Sequence, residues 1–512
     1  MNLSQLRRLP VLCTLFSLSM AIAQQPAPAT PPIAGIWLGT LTAGPQTLRL
    51  QLRVRPTLNG AFECFLDSVD QKSFNIPCDG PRIKGTSVHF DVPKVEGAWA
   101  GRLSADGNIL TGVWTQGTDF PLIFKKQTTA IEAPKPVAVK FDPAKPPVPV
   151  AEIQSVLDAD LAEALKSGVL APDTNAGITI GVVQHGVQRI FSYGTAKPDS
   201  VFEIGSVSKT FTALLLAQMA EQQKVRLDEP VRDLLPPGTV AKPASGKEIA
   251  LVDLSDQHSG LPRLPSNLKP ANPTNPYADY DANLLNAFLA KQGVALPADA
   301  PFTYSNLGVG LLGYALSLRA GVPYPQLLQD QITGPLGLHD TTVILTPSMQ
   351  DRFIPGHTAA HAVAPAWDFD ALAGCGGIRS TAADMLTYLQ AQLHPNQIPA
   401  AALDSPAGKT LIAAIGLTHV IHAEAGPGNH IALNWFHNDG TGSFWHNGAT
   451  GGYTAYVAFN PEQDFALVVL SNTSLDANTF TDRLGQHIAQ RLEGHAAFSL
   501  APEERQRLSP PK

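Results

Sequence analysis

The chain is sparing with charge and with cysteine. Asp, Glu, Lys and Arg make up 15% of 512 residues and leave a formal net charge of −7. Lys and Arg form no block, so nothing asks for a phosphate backbone, and nucleic acid is excluded as an expected partner. Beyond the N-terminus there is no apolar run of about 18 residues or more, so no membrane span is expected in the mature chain. A zinc site is disfavoured. His357 and His361 lie four apart, but no Glu makes an H-E-x-x-H pattern and no Cys pair supports them. No G-x-S-x-G occurs, which argues against the nucleophile elbow of α/β-hydrolases.

What is present reads as a globular protein. Apolar residues make up 44% of the chain, and its length implies two or three domains. Arg7 and Arg8 precede the short apolar stretch LPVLCTLFSLSMAIA, and Ala21-Ile22-Ala23 has the small-residue cleavage pattern. Residues 1–23 are therefore expected to be a signal peptide cut before Gln24, which places the mature chain in the periplasm or outside the cell. Cys13 leaves with that segment. Cys64 and Cys78 lie close together in an exported chain and form a candidate disulfide, with two buried thiols as the alternative. Cys375 is left over and expected to be buried.

After a flexible leader (QQPAPATPP), residues 33–126 have a β pattern. Thr47 to Val54 alternate, leucines and Val54 on one face, Arg and Gln on the other. VHFDV repeats the alternation, and ADGN and LNG mark turns. An all-β antiparallel barrel or sandwich is expected, with no chemistry of its own beyond binding or spacing. Residues 127–150 are rich in Pro, Ala and Lys and read as a semi-rigid spacer. Residues 151–494 mix strands such as ITIGVV with helical patterns, and 495–512 form a tail. Near the end, YTAYVAF and FALVVLSN flank Asn460–Asp464 as a hairpin. A closing helix carries Phe480, Leu484, Ile488 and Leu492 on one face.

Three short segments could carry chemistry. In FEIGSVSKTFTALLL, Ser206 and Lys209 stand three apart and share a helix face. Ser206 near a helix N-terminus meets a field that favours negative charge. That field and burial both disfavour a cation at Lys209, which suits a lysine acting as a base. In PFTYSNLGVG, Tyr304 and Asn306 alternate with Ser305 and face one cleft. A tyrosine there can pass protons, and Asn306 offers a donor and an acceptor to a substrate amide. In SFWHNGATGGY, His446 precedes Asn447 and Gly448, and Gly448 would let a ligand approach the strand closely. Gly308, Gly310 and Gly313 satisfy G-x-G-x-x-G, but ADAPFTYSNL is a poor strand before them; close helix packing is the expected use of these glycines. Thr381 and Asp384 have capping-box spacing.

Taken in order, Ser-x-x-Lys, Tyr-Ser-Asn and His-Asn-Gly resemble the penicillin-recognising serine hydrolases, whose class A version is Ser-x-x-Lys, Ser-Asp-Asn, Lys-Thr-Gly. The Tyr form is similar to the branch of class C β-lactamases, DD-carboxypeptidases, DD-endopeptidases and esterases. HSGLPRLPSN, YSNLGVGLLGYAL, GPLGLHDT and AGCGGIRSTAADM add to the likeness, which runs from about Ala151 to Leu492. It implies an α/β fold with an antiparallel sheet flanked by helices and a helical subdomain. It also implies Ser206 as nucleophile, Lys209 and Tyr304 sharing the base work, Asn306 binding a substrate amide, and the backbone N–H groups of Ser206 and Ala449 as oxyanion hole. No cofactor is implied. The expected partner is a small-molecule or peptide substrate: a peptidoglycan stem peptide, a β-lactam or an ester. His446, expected on an edge strand, stands where the family commonly has a lysine. An imidazole titrating near pH 6.5 would grip a carboxylate less firmly than that lysine, which favours a DD-peptidase or esterase over a β-lactamase. A penicillin-binding sensor that acylates without turnover is the non-enzymatic alternative.

Overall fold

The computed structural model describes residues 33–501, apart from 44–45, 58–60, 72, 96, 117, 133–139, 168, 299 and 475–479. The expected signal peptide and leader lie outside the described residues. The chain divides into two compact units, residues 1–137 and 138–512. No helix among the described residues is long and apolar enough to cross a membrane.

The first unit is a nine-stranded antiparallel sheet. Its strands follow one another as a meander, and the ninth, Thr118–Gln127, pairs with the first, Gly35–Ala43. Period-two alternation sends Trp37, Leu52, Phe90, Trp99, Trp114 and Phe124 into one core. The polar face of Thr47–Val54 is not uniformly solvated. Gln51 is buried because its amide exchanges hydrogen bonds with the backbone N–H and carbonyl of Ile131 and donates to Asp67, which also holds Arg53. Cys64 and Cys78 face each other across adjacent strands, Phe62–Ser68 and Ser73–Cys78. They are two thiols here rather than a disulfide.

The second unit is built on an eight-stranded antiparallel sheet. Its spatial order is Val187–Gly194, Gly177–Gln184, Phe465–Ser471, Thr454–Asn460, Phe444–Ala449, Phe436–Asn438, Asn429–Ile431 and Ala423–Glu424. The central strands are buried at every position because both faces are covered. Val457, Val468 and Leu470 enter one core with the helices Ser208–Glu221 and Ala382–Leu393. Tyr456, Leu467 and Val469 enter the other, with Phe480, Leu484, Ile488 and Leu492 of the closing helix Phe480–Glu493. The hairpin around Asn460–Asp464 is present, with Asn460 opposite Phe465.

Two boundaries differ from the sequence reading. Phe141–Asp142 pairs with Ala497–Phe498, and Val148, Val150 and Leu500 are buried in the second core. The end of the Pro-rich segment and the start of the tail are therefore part of the second unit. Their apolar residues recur too irregularly to show a periodicity. Gly310 and Gly313 lie within the helix Asn306–Ala320 and permit close packing: a Cβ on Gly310 would meet Leu372 at 2.5 Å, and one on Gly313 would meet Gly374 Cα at 3.1 Å.

Candidate active site

Ser206 lies in a single tight turn, Gly205–Val207, that runs directly into the buried helix Ser208–Glu221. Gly205 has φ of +50°, which an L side chain rarely adopts, and its Cβ would stand 2.6 Å from Ala449 N. A Cβ on Gly448 would lie 2.0 Å from Ile204 O and 2.9 Å from Ser206 N. The strand Phe444–Ala449 is thus pressed backbone to backbone against the Ser206 turn, bringing the backbone nitrogens of Ser206 and Ala449 to the same spot. Gly448 was expected to admit a ligand. What approaches it is the chain's own Ile204 carbonyl.

Lys209 is fully buried. Its Nζ lies 3.0 Å from Ser206 Oγ, 2.8 Å from Asn306 Oδ1 and 2.6 Å from the Cys375 carbonyl. Two of these three partners can only accept, so they fix two N–H bonds. The third direction faces a hydroxyl, which can accept from an ammonium or donate to a neutral amine. This contact alone can reverse when a proton moves, and that is the arrangement a base needs.

Asn306 opens the helix Asn306–Ala320, capped by Ser305, whose hydroxyl accepts from Gly308 N at 2.8 Å. Its Oδ1 is held by Lys209 and its Nδ2 donates to Tyr277 Oη at 3.0 Å, leaving one amide N–H uncommitted. Tyr277 is buried and stacked on Phe369 at 4.5 Å. Burial holds its phenol well above the ordinary range, so it is a neutral hydroxyl. Sequence reasoning missed Tyr277, which sits in a Pro/Asn-rich loop without periodicity. It used AGCGGIRSTAADM only for the likeness and a capping box, without singling out the Cys375 carbonyl. Tyr304 is half-exposed and faces three polar groups: Lys209 Nζ at 4.9 Å and Arg263 Cζ at 5.2 Å from its ring centroid, and the His446 ring at 6.3 Å.

His446 differs from expectation in two ways. Its strand has a neighbour on each side, so it is not an edge strand along its whole length, although the outer side is open at His446 itself. Residues 446–449 pair with Thr454–Val457 on one side, while the neighbour Phe436–Asn438 reaches only Phe444 and Trp445. The imidazole is 1% exposed. Burial, reinforced by the charge of Lys209, pushes its pKa down to about 3, so it is neutral where an exposed imidazole would titrate. Nδ1 lies 2.6 Å from the Asn447 carbonyl, which can only accept. The proton therefore sits on Nδ1, and Nε2 is a bare acceptor, buried without a partner.

Among the described residues no three His, Cys, Asp or Glu side chains gather as a metal site. His357 is buried in a short strand, its backbone bonded to Gly452 and Asn472.

The Beta-lactamase family model matches residues 168–490. A D-alanyl-D-alanine-carboxypeptidase/endopeptidase, AmpH, of Escherichia coli is 30% identical over 57% of this chain and 79% of its own. Penicillin-binding protein 4 of Amycolatopsis lactamdurans is 27% identical over 70% of this chain and 88% of its own. A β-lactamase of Pseudomonas fluorescens is 27% identical over 58% and 88%. Among solved structures, a β-lactamase from Sulfitobacter sp. EE-36 has a TM-score of 0.54 at 25% identity, covering 68% of this chain and 97% of that one. A class C β-lactamase from Rhodobacter sphaeroides shares the fold with a TM-score of 0.53 at 24% identity, over 66% and 97%. The chain belongs to the beta-lactamase family of serine hydrolases.

Proposed function

We propose that this chain is an exported serine hydrolase that forms an acyl-enzyme on Ser206 and acts on D-Ala-D-Ala-type cell-wall peptides as a carboxypeptidase or endopeptidase. The observation that carries this reading is the Lys209 Nζ contact with Ser206 Oγ, in a site where the other two partners of the amine are carbonyl oxygens. In its neutral form Lys209 takes the Ser206 proton as Oγ attacks the acyl carbon. The N–H groups of Ser206 and Ala449 receive the charge that develops on the carbonyl oxygen. Collapse breaks the C–N bond, and the leaving amine takes a proton passed through Tyr304. Water then attacks the ester and Ser206 is restored. The uncommitted N–H of Asn306 holds the amide on the acyl side. Export rests on the N-terminal charge and cleavage pattern.

The peptidase reading is supported by the likeness to the carboxypeptidase/endopeptidase AmpH; the neutral His446 offers no cation to a substrate carboxylate, whether a β-lactam's or a terminal D-Ala's. The relatives that are β-lactamases support the second reading, a class C-like β-lactamase, and a carboxylesterase is the further alternative. A fluorescent penicillin and intact mass test the first step: an adduct on the native protein and none on Ser206→Ala. An undiminished adduct in the variant overturns the nucleophile. Parallel turnover of nitrocefin, a D-Ala-D-Ala peptide and a short-chain ester then ranks the substrates, and much faster nitrocefin cleavage favours the β-lactamase. An adduct that never clears would mark a sensor.

A further inference from the structure

We propose that Arg263 is a specificity-determining residue whose guanidinium receives a carboxylate on the acyl side of the substrate, the part that stays on Ser206. This rests on the acyl-enzyme reading above. Three polar side chains face the Tyr304 ring, and two have nothing to offer an anion. Lys209 directs its Nζ at three oxygens, and His446 is neutral with a bare acceptor. Arg263 is the exception. It is exposed, its Cζ stands 5.2 Å from the Tyr304 centroid, and among the described residues its guanidinium has neither hydrogen bond nor ion pair.

Other arginines of this unit are committed. Arg232 pairs with Glu248, Arg319 with Glu229, Arg352 with Asp340 and Arg491 with Asp160. The position of Arg263 is also fixed. Its carbonyl accepts from Asn306 N at 3.0 Å and Leu307 N at 3.2 Å, which ties its backbone to the residue proposed to hold the acyl-side amide. The ring of Tyr304 gives the cation a resting face. The planar fork remains free for a bidentate contact with a carboxylate. The favoured substrate class is a peptide, or another acyl donor, whose acyl-side side chain ends in a carboxylate.

Benzylpenicillin and carbenicillin test this, since the second differs by one added carboxylate on the acyl side chain. Second-order acylation rate constants for both are measured by intact mass on the full chain, the Arg263→Gln variant and the Arg263→Lys variant. The expected result is that the carbenicillin-to-benzylpenicillin ratio falls about fivefold in Arg263→Gln, falls less in Arg263→Lys, and declines with added salt in the native protein. A ratio unchanged in Arg263→Gln overturns the proposal while leaving the acyl-enzyme standing. Because only the ratio is read, a general loss of rate from disturbing Tyr304 cancels. If the native protein forms neither adduct, the acyl-enzyme reading falls and this proposal falls with it.

Discussion

Lys209 Nζ and Ser206 Oγ stand 3.0 Å apart, and the remaining partners of the amine are the carbonyl oxygens of Asn306 and Cys375. Those two oxygens can only accept, so Ser206 Oγ is the one partner that can give the amine a proton. Lys209→Met should lower the acylation rate by about 10²–10⁴-fold, the usual worth of a positioned general base. It should also cost about 1–3 kcal/mol for each buried oxygen left without a donor. Stopped-flow acylation by a fluorescent penicillin, on variant shown to be folded by circular dichroism, checks both. A rate within threefold of native would exclude Lys209 as the base.

The buried neutral state of His446 has a pH consequence. Its folded pKa, about 3, lies below the unfolded value near 6.5, so the unfolded chain binds the extra proton. Stability is untouched above pH 6.5 and falls as the pH drops toward 3, by up to about 1.4 kcal/mol per pH unit for this one group. His419, buried and pushed down to about 4, acts in the same direction. His446→Gln should flatten the loss between pH 6.5 and 5 by about one proton, read from denaturant midpoints across that window. An unchanged slope would mean that His446 is already charged in the folded protein.

The same neutrality bears on substrate choice. His446→Lys places an amine where Nε2 now lacks a donor. If a cation at this position grips substrate carboxylates, the variant should acylate faster with carboxylate-bearing β-lactams at pH 8. No gain at pH 8 would remove that role from the position.

The parts of the fold with strict periodicity were legible. The apolar runs YTAYVAF and FALVVLSN on either side of Asn460–Asp464 mark the two arms of a hairpin, and the four-residue spacing from Phe480 to Leu492 marks the closing helix. Ser206 and Lys209 were legible as neighbours because a helix fixes the three-residue spacing. Tyr277 and Arg263 were not, because loops bring them to Asn306 and Tyr304 without any period. The His446 protonation state was also hidden. It depends on burial against Tyr304 and Phe436, which pack beside it from other segments of the chain. Gly448 was recognised as a site of close approach, but an isolated strand cannot say which backbone comes close.

Two glycine substitutions separate close approach from mere flexibility. Gly448→Ala puts a methyl carbon 2.0 Å from Ile204 O, so it should push the strand off the Ser206 turn and abolish acylation. Gly416, on the exposed side of the helix Gly408–Thr418, has no atom within 4 Å of its Cβ position. Gly416→Ala should stabilise the protein by about 0.5–1 kcal/mol and leave acylation unchanged. Thermal melts with penicillin labelling distinguish the two. A Gly448→Ala variant that labels at the native rate would show that the strand does not rest on that turn in solution.

Tyr277 acts through Asn306 rather than on substrate, so its effect should divide unevenly between binding and chemistry. Its hydroxyl accepts from Asn306 Nδ2, which fixes the amide so that Oδ1 points at Lys209. Tyr277→Phe keeps the stacking on Phe369 and removes only that acceptor. The amide can then rotate, and Lys209 loses a fixed partner in a fraction of molecules. The acylation rate constant should fall about tenfold, in keeping with one buried hydrogen bond of roughly 1.5 kcal/mol, while the dissociation constant of the initial penicillin complex changes little. Saturation kinetics of acylation separate the two quantities. A weaker initial complex with an unchanged rate constant would instead place the Tyr277 hydroxyl in contact with substrate.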